Sequence, residues 1–100
     1  MKLLLITCVA EYENEVKEIL KHSGVQSFSY QPVKGFKNEK DGDLNNWFGI
    51  TDVPTESIMF TVFIQENCMD EIFEKIARFN CERETLSKIH ISCLTIEKFL

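Results

Sequence analysis

Basic side chains recur at two places in the chain and are candidates for binding an anion. Lys34, Lys37 and Lys40 follow one another at every third residue where a long polar segment begins, and Arg83 and Lys88 form a second group. Lysine ammonium groups donate up to three hydrogen bonds and attract carboxylates and phosphates. The pattern indicates an anionic ligand, with solvated surface lysines as the alternative.

Two large aromatic residues, Trp47 and Phe48, lie in the middle of a polar segment, 34–57, that has no hydrophobic period. Aromatic anchors dominate the energetics of binding interfaces. The nearby carboxylates of Asp43 and Asp52 can orient a basic partner or hold a cation, although most such carboxylates are simply solvated. We predict that this segment binds a protein partner; the alternative is that the aromatic pair packs onto its own loop.

Sulfur-containing side chains are candidates for a soft metal ion. Thiolate and thioether ligands select Cu(I), and Cys68 and Met69 are adjacent in the sequence. Met59 and Met69 also fall at predicted core positions, so packing is the alternative. No cysteine belongs to a CxxC pair and no histidine has zinc-finger spacing. We expect reduced, mostly buried thiols at the four cysteines, Cys8, Cys68, Cys81 and Cys93.

Motifs for catalysis are missing from the sequence. There is no nucleophile elbow, no HExxH, and no histidine–carboxylate pair at a readable spacing. We therefore predict a protein that is not an enzyme. A small enzyme with an apolar cavity remains an alternative.

Three of four predicted strands have a clear pattern. Segments 1–10 and 58–65 are apolar on both alternating faces, which is typical of central strands. Segment 25–33 places Phe28 and Tyr30 on one face, and Pro32 suggests that its far end is a sheet edge. A fourth strand is predicted over 88–96.

Two segments have the period of a helix. Segment 11–23 carries an apolar stripe and ends at Gly24, a residue that takes the left-handed turn after a helix without strain. A second helix is predicted to start with Asn67 as its cap and to end before a polar connection, 81–87. The stripes consist of Tyr12, Val16, Ile19 and Leu20 in the first helix and Met69, Ile72, Phe73, Ile76 and Phe79 in the second.

The order β-α-β-β-α-β predicts an α+β, ferredoxin-like domain with a four-stranded antiparallel sheet and a long loop between strands 2 and 3. Right-handed crossovers place both helices on one face of that sheet. The other face then carries large apolar residues without a cover, and exposing them costs about 25 cal/mol per Å². We predict a homo-oligomer.

The length, composition and net charge of the chain argue against several classes of protein. One hundred residues predict a single domain, 1–100, and the composition of 44% hydrophobic and 27% charged residues is ordinary for a globular protein. The net charge of −5, without a block of Lys and Arg, argues against nucleic acid as a partner. No apolar run is long enough to insert into a membrane, and a cytoplasmic location is expected by default.

Four short strings resemble the PII signal-transduction proteins. They are Asn14–Leu20, Gly24-Val25, Val33-Lys34-Gly35-Phe36 and Met69–Ile72, in the order and spacing of that family and in a register that covers nearly the whole chain. PII proteins are trimers of ferredoxin-like subunits. Their long T-loop follows the VKGF-type segment and docks on enzymes, transporters or channels, and nucleotides bind between subunits and alter the loop's shape.

The resemblance implies a homotrimer, a T-loop at 34–57 and a small-molecule or ion effector between subunits. Some PII-like proteins are linked to heavy-metal efflux systems, so a membrane transporter or efflux system is the expected kind of protein partner. The ligand-binding residues that the resemblance implies, with His90 added from its predicted place in the cleft, are Lys34, Gly35, Phe36, Lys37, Lys88 and His90.

The chain departs from the PII pattern where PII proteins hold nucleotides. Lys37 and the two residues after it replace Gly, Arg and Gln, and the glycine-rich second loop is replaced by a glycine-free segment that contains Glu82 and Glu84. Side chains obstruct close approach of a phosphate there, and the carboxylates repel it. We therefore predict no cofactor and no nucleotide site of the PII type.

The resulting hypothesis is a non-enzymatic, PII-like trimeric regulator that senses a small ligand or ion and binds a protein through its long loop. A CutA-like cation-binding trimer is the alternative within the same fold. The small cavity enzyme is the alternative from a different class.

Overall fold

The computed structural model describes residues 1–36, 54–84 and 87–100. It confirms the predicted α+β architecture and element order, with a short 3-10 helix, Ala10–Tyr12, before the first α-helix. Among the described residues, no helix combines the length and the apolar composition needed to cross a membrane. The strands are β1 (Lys2–Val9), β2 (Ser29–Gly35), β3 (Thr55–Ile64) and β4 (His90–Thr95), and the helices are α1 (Glu13–Lys21) and α2 (Glu66–Glu82).

The four strands form one antiparallel sheet in the order β2-β3-β1-β4. The two strands that are apolar on both faces, β1 and β3, are central as predicted. Strand β2, which contains Pro32, is an edge, and this also agrees with the prediction. Proline is tolerated there because an edge strand has amide positions that need no partner.

Both helices pack on one face of the sheet and close a single core. Leu4 and Ile6 of β1 and Phe60 of β3 are fully buried against Leu20 of α1 and Ile72 of α2. The predicted helical stripes therefore face the sheet. The partly buried members of the same core include Tyr12, Ile19, Met69, Phe73 and Phe79.

Helix α1 ends as the sequence indicates. His22 is its C-cap, Gly24 has a φ of +80°, and the amide of Val25 donates to the carbonyl of Leu20 at 3.3 Å. The hydroxyl of Ser23 donates to the carbonyl of Ile19 at 2.7 Å. These bonds use carbonyls that a helix end otherwise leaves unpaired.

The bounds of several elements differ from the predictions. Strand β2 begins at Ser29 rather than Val25, and α2 extends to Glu82 instead of ending before residue 81. The predicted Asn67 cap is wrong: α2 begins at Glu66 after Gln65, which makes no side-chain cap bond. The predicted loop 34–57 is shorter at both ends, since β2 continues to Gly35 and β3 starts at Thr55.

The second sheet face, which we call the open face, consists of Leu3, Leu5, Thr7 and Val9 of β1 and the residues beside them in register. Thr7, Val9 and Ser57 are buried at one end of this face. At the other end Phe63 is 49% exposed and Leu94 is 43% exposed, and both are register partners of Leu3. The ring of Phe99, itself 60% exposed, lies 5.7 Å from that of Phe63. We call Leu3, Phe63, Leu94 and Phe99 the apolar patch.

Two predictions about sulfur side chains are wrong in part. All four cysteines are free, as expected, but only Cys8 is buried; Cys68 is partly exposed, and Cys81 and Cys93 are exposed. Met59 is opposite Thr7 in the β1–β3 register, so it lies half-buried on the open face and not in the core. An edge strand leaves Cys93 accessible because only one side of β4 is paired.

Candidate functional site

The end of β2 carries three of the predicted ligand-binding residues. Lys34 is exposed and lies opposite Glu56 of β3 in the antiparallel register, where opposite charges attract. Gly35 is buried, and Phe36 follows it with 62% of its surface exposed. An aromatic side chain this exposed is available to a ligand or partner. Lys37 lies outside the described residues.

A reciprocal pair of hydrogen bonds fixes the chain that leads into β4. The side-chain Nδ2 of Asn80 donates to the backbone carbonyl of Ile89 at 2.8 Å, and the backbone amide of Ile89 donates to the side-chain Oδ1 of Asn80 at 2.8 Å. Asn80 thus supplies Ile89 with the two bonds that a neighbouring strand would give. This anchors the start of β4 to the C-terminal part of α2.

Lys88 is the lysine of the second basic group that matches the PII pattern, and it also bonds to the C-terminal part of α2. We call Asn80, Lys88 and Ile89, which connect α2 to β4, the joint. Its ammonium group donates to the carbonyl of Asn80 at 2.8 Å and to that of Arg83 at 3.3 Å. A cation at this position is also stabilised by the negative, C-terminal end of the α2 dipole. An ammonium group has three donors, and the bonds to Asn80 and Arg83 use two of them among the described residues. The guanidinium of Arg83 lies 4.4 Å from the ring of Phe79.

His90 opens β4 and is half-buried on the open face, opposite Thr7 of β1. Thr7 is 6% exposed, and its hydroxyl has no hydrogen-bond partner among the described residues. A buried hydroxyl without a partner costs about 1–3 kcal/mol. The Thr7 hydroxyl is therefore a buried polar group that the described residues leave unsatisfied.

The two groups of predicted residues lie at the same end of the sheet but on opposite edges. Strand β2 ends there and β4 begins there, since the strands alternate in direction. Strands β3 and β1 lie between them, so the edges are three strand spacings apart, roughly 14 Å. A small ligand therefore contacts only one of the two groups within a single chain.

A cleft of about 310 Å³ opens at the other end of the sheet, between the turn after α1 and the start of α2. No carboxylate, imidazole or ammonium side chain is among the residues that line it. General acid–base catalysis most often uses such groups, and Cys68 is the titratable side chain among the lining residues. The lining residues are Met1, Gly24, Val25, Gln26, Ser27, Phe63, Ile64, Gln65 and Cys68.

The two predicted metal candidates have different surroundings. The thiol of Cys68 lies 3.5 Å from the side-chain oxygen of Asn67 and lines the cleft. The sulfur of Met69 lies 3.0 Å from the thiol of Cys93 on β4. Sequence spacing did not indicate the Met69–Cys93 pair, because the residues are 24 positions apart and meet only through the packing of α2 on β4.

The predicted partner-binding residues Asp43, Trp47, Phe48 and Asp52 lie outside the described residues. The described residues stop at Phe36, directly after β2, and resume at Pro54, directly before β3. Gly35 and Thr55, at the facing ends of these two strands, are paired in the β2–β3 register.

Solved structures of one protein share this arrangement over almost the entire chain. CPII, a nitrogen regulatory PII-like protein from Thiomonas intermedia K12, bound to ADP, AMP and bicarbonate, matches with a TM-score of 0.65 at 12% sequence identity, over 99% of this chain and 94% of that one. The chain has the PII-like fold. Two further CPII complexes, with ADP and bicarbonate and with ADP, AMP and acetate, give TM-scores of 0.63 and 0.62 at 13% and 14% identity. Each covers 97% of this chain and 88% of CPII.

The likeness is one of structure, since no protein-family model and no curated protein matches the sequence. In this chain β2 ends at Gly35 and β3 begins at Thr55, so the connection between them follows Lys34, Gly35 and Phe36. The joint formed by Asn80, Lys88 and Ile89 stands where this fold turns from α2 into β4.

Proposed function

We propose that this chain is a non-enzymatic PII-like regulator. It forms a homotrimer, binds a small molecule or ion between subunits, and presents the connection between Phe36 and Pro54 to a protein partner such as a membrane transporter or metal-efflux system. Trp47 and Phe48 are the proposed anchors on that partner, with Asp43 and Asp52 orienting it. The proposed location is the cytoplasm.

The division of the candidate site between two sheet edges is the observation that carries the proposal. Lys34 and Phe36 are on the β2 edge, and Lys88 and His90 are on the β4 edge, roughly 14 Å away at the same end. A cyclic trimer has a head-to-tail interface, in which different surfaces of neighbouring subunits meet. The β2 edge of one subunit and the β4 edge of the next then form one complete site.

The apolar patch supports assembly independently of the site. Phe63, Leu94 and Phe99 are each more than two-fifths exposed and lie together on the open face. Removing apolar surface from water yields about 25 cal/mol per Å². Association through the open face buries this patch.

The charges of the described residues favour a compact anion over a nucleotide of the PII type. Within the described residues Lys88 uses two of its three donors, and Glu82 and Glu84 are exposed near the same joint and repel a polyphosphate. Lys34 and Lys88 supply two positive charges, and a small anion between them satisfies both. The CPII structures are bound to ADP, AMP, bicarbonate and acetate in different combinations, so these four compounds are the first to test.

The mechanism of such a regulator is a population shift. A ligand that contacts Lys34 and Phe36 at the base of the long connection binds one loop conformation better than another, and it shifts the population by that difference. By linkage, a partner bound to the loop changes the ligand's affinity by the same factor. No covalent chemistry is required.

A complementation experiment tests the divided site. Calorimetry with ADP, AMP, bicarbonate and acetate first identifies a binding compound, and Lys34→Ala and Lys88→Met are then expected to abolish its binding. Mixed trimers of the two variants contain interfaces at which an intact Lys34 meets an intact Lys88, so mixing is expected to restore part of the binding. Circular dichroism checks that Lys88→Met, which loses two helix-end bonds, remains folded.

Two results contradict the proposal. If none of the four compounds binds, the sensing role is wrong for this class of ligand. If one binds but the mixed trimers stay inactive while each variant is folded and trimeric, the site is not shared between subunits.

A further inference from the structure

We infer that Cys93 and Met69 form a binding site for a soft monovalent metal ion, Cu(I) or Ag(I). The thiol of Cys93 and the thioether of Met69 lie 3.0 Å apart. Cys93 is exposed and Met69 is partly buried, so an ion reaches the pair from solvent on one side and is backed by the core on the other. This site is separate from the proposed effector site.

The fold itself brings the two sulfur atoms together. Cys93 is opposite Leu4 in the β1–β4 register, and Leu4 is fully buried beneath the helices, so Cys93 lies on the helix-covered face. Met69 is in the first turns of α2, on the stripe that packs against the sheet. Because β4 is an edge strand, the thiol stays accessible even though it lies on that face.

The donor set selects the class of ion. Thiolate and thioether sulfur are soft ligands that favour Cu(I), whereas Zn²⁺ takes four ligands in structural sites. Within residues 1–36, 54–84 and 87–100 there is no group of three or more His, Cys, Asp or Glu side chains that could hold a metal. Two sulfur ligands suit an ion that accepts two-coordinate binding, as Cu(I) and Ag(I) do.

Only a small movement is needed to admit the ion. With metal–sulfur bonds of about 2.3 Å, two sulfur atoms on one ion lie roughly 3.7 to 4.6 Å apart, depending on the bond angle. The present separation of 3.0 Å must therefore widen by roughly 0.7 to 1.6 Å, the larger value applying to a linear two-coordinate ion. Methionine has three rotatable side-chain bonds and adapts readily. Binding replaces the thiol proton of Cys93 with the metal ion, and the proton passes to solvent.

Silver(I) titration of the reduced protein tests the site. The double variant Cys68→Ser/Cys81→Ser leaves Cys93 as the accessible thiol, because Cys8 is buried. In this background we expect one equivalent of Ag(I) to shift the NMR signal of the Met69 methyl group, while the methyl signals of Met1 and Met59 stay in place. Native mass spectrometry gives the stoichiometry.

Substitutions separate a paired site from a single reactive thiol. Cys93→Ser is expected to abolish the tight binding, and Met69→Leu is expected to weaken it at least about tenfold, the size of effect seen when one supporting group of a metal site is lost. Met59→Leu is the matched control and should bind as its parent does. Leucine is close to methionine in volume, so the fold is retained. An unshifted Met69 methyl signal, or equal affinity in Met69→Leu and Met59→Leu, would overturn the inference.

Discussion

The thiol of Cys8 differs from the other three in its chemistry. It is fully buried, and burial raises its pKa to about 12, with smaller contributions from the negative charges of Glu13 and Glu15. A thiol with this pKa stays protonated across the physiological range and is a poor nucleophile. Cys8 is therefore a packing residue, as its place in an apolar strand predicted.

We predict that Cys8 makes the protein less stable at high pH. Its pKa is higher in the folded chain than the ordinary value of about 8.5 that applies to the unfolded chain. The contribution of the protonated Cys8 thiol to the free energy of unfolding is thus fully present below about pH 8.5, and it is lost as pH rises toward 12. The free energy of unfolding should fall by up to about 1.4 kcal/mol per pH unit in this window, measured by urea denaturation.

Cys8→Ala provides the control, because other groups also titrate in alkaline solution. The variant is expected to be less stable at pH 7 but to lose stability more slowly between pH 9 and pH 11, a window that lies below the folded-state pKa of about 12. Equal pH slopes for the two proteins would show that the Cys8 thiol is not shielded in the folded chain.

The burial of a single residue could be predicted from the sequence when it depended only on which face of its own helix or strand the residue occupies. The helical stripes fall in the core because a period of 3.6 repeats along a helix. Met59 was misplaced because β3 is apolar on both faces, and period alone does not say which face the helices cover. The Met69–Cys93 contact was not predictable, since it depends on the register of β4 and on how α2 lies across it.

At the scale of elements, the strands and helices followed the hydrophobic pattern and their ends followed tertiary contacts. Strand β2 starts late because the chain from Val25 to Phe28 has no partner in the ladder: the first residue paired with β3 is Ser29. The polar connection predicted after α2 became a joint because the side chains of Asn80 and Lys88 replace backbone partners. Composition alone does not reveal such replacements.

The joint between α2 and β4 gives a second testable consequence. Asn80→Ala removes both partners of the Ile89 backbone, and Ile89 is only 2% exposed, so water does not fully replace them. A buried backbone group without a partner costs about 1–3 kcal/mol. We expect Asn80→Ala to reduce the free energy of unfolding by about this amount in urea denaturation.

Asn14→Ala is the matched control, because Asn14 is an exposed residue of α1. A substitution of that kind usually changes stability by less than about 0.5 kcal/mol. If the two alanine variants lose the same stability, the Asn80 joint contributes nothing of its own to the folded state.

For the whole molecule, the sheet has one covered face and one open face, and this follows from the order of elements. The sequence predicted the uncovered apolar surface, and the structure locates its exposed part in the apolar patch at one end of β1 and β3. The other end, with Thr7 and Ser57, is buried. Hydrophobicity alone did not indicate this asymmetry, because the buried end carries the more polar residues Thr7 and Ser57 and the exposed end carries Leu3 and Phe63.

Phe63→Glu tests whether the apolar patch holds the proposed trimer together. Phe63 is 49% exposed and contacts Phe99, so a glutamate there is tolerated in a single chain. In an assembly through the open face the same carboxylate is removed from water without a partner, at a cost of several kcal/mol. We expect sedimentation to show a folded single chain for the variant and a trimer for the parent.

Tyr30→Glu is the control: the residue is 47% exposed on the helix-covered side of β2, and this variant should remain trimeric. A parent that sediments as a single chain, or a Phe63→Glu variant that still forms trimers, would exclude the open face as the subunit interface.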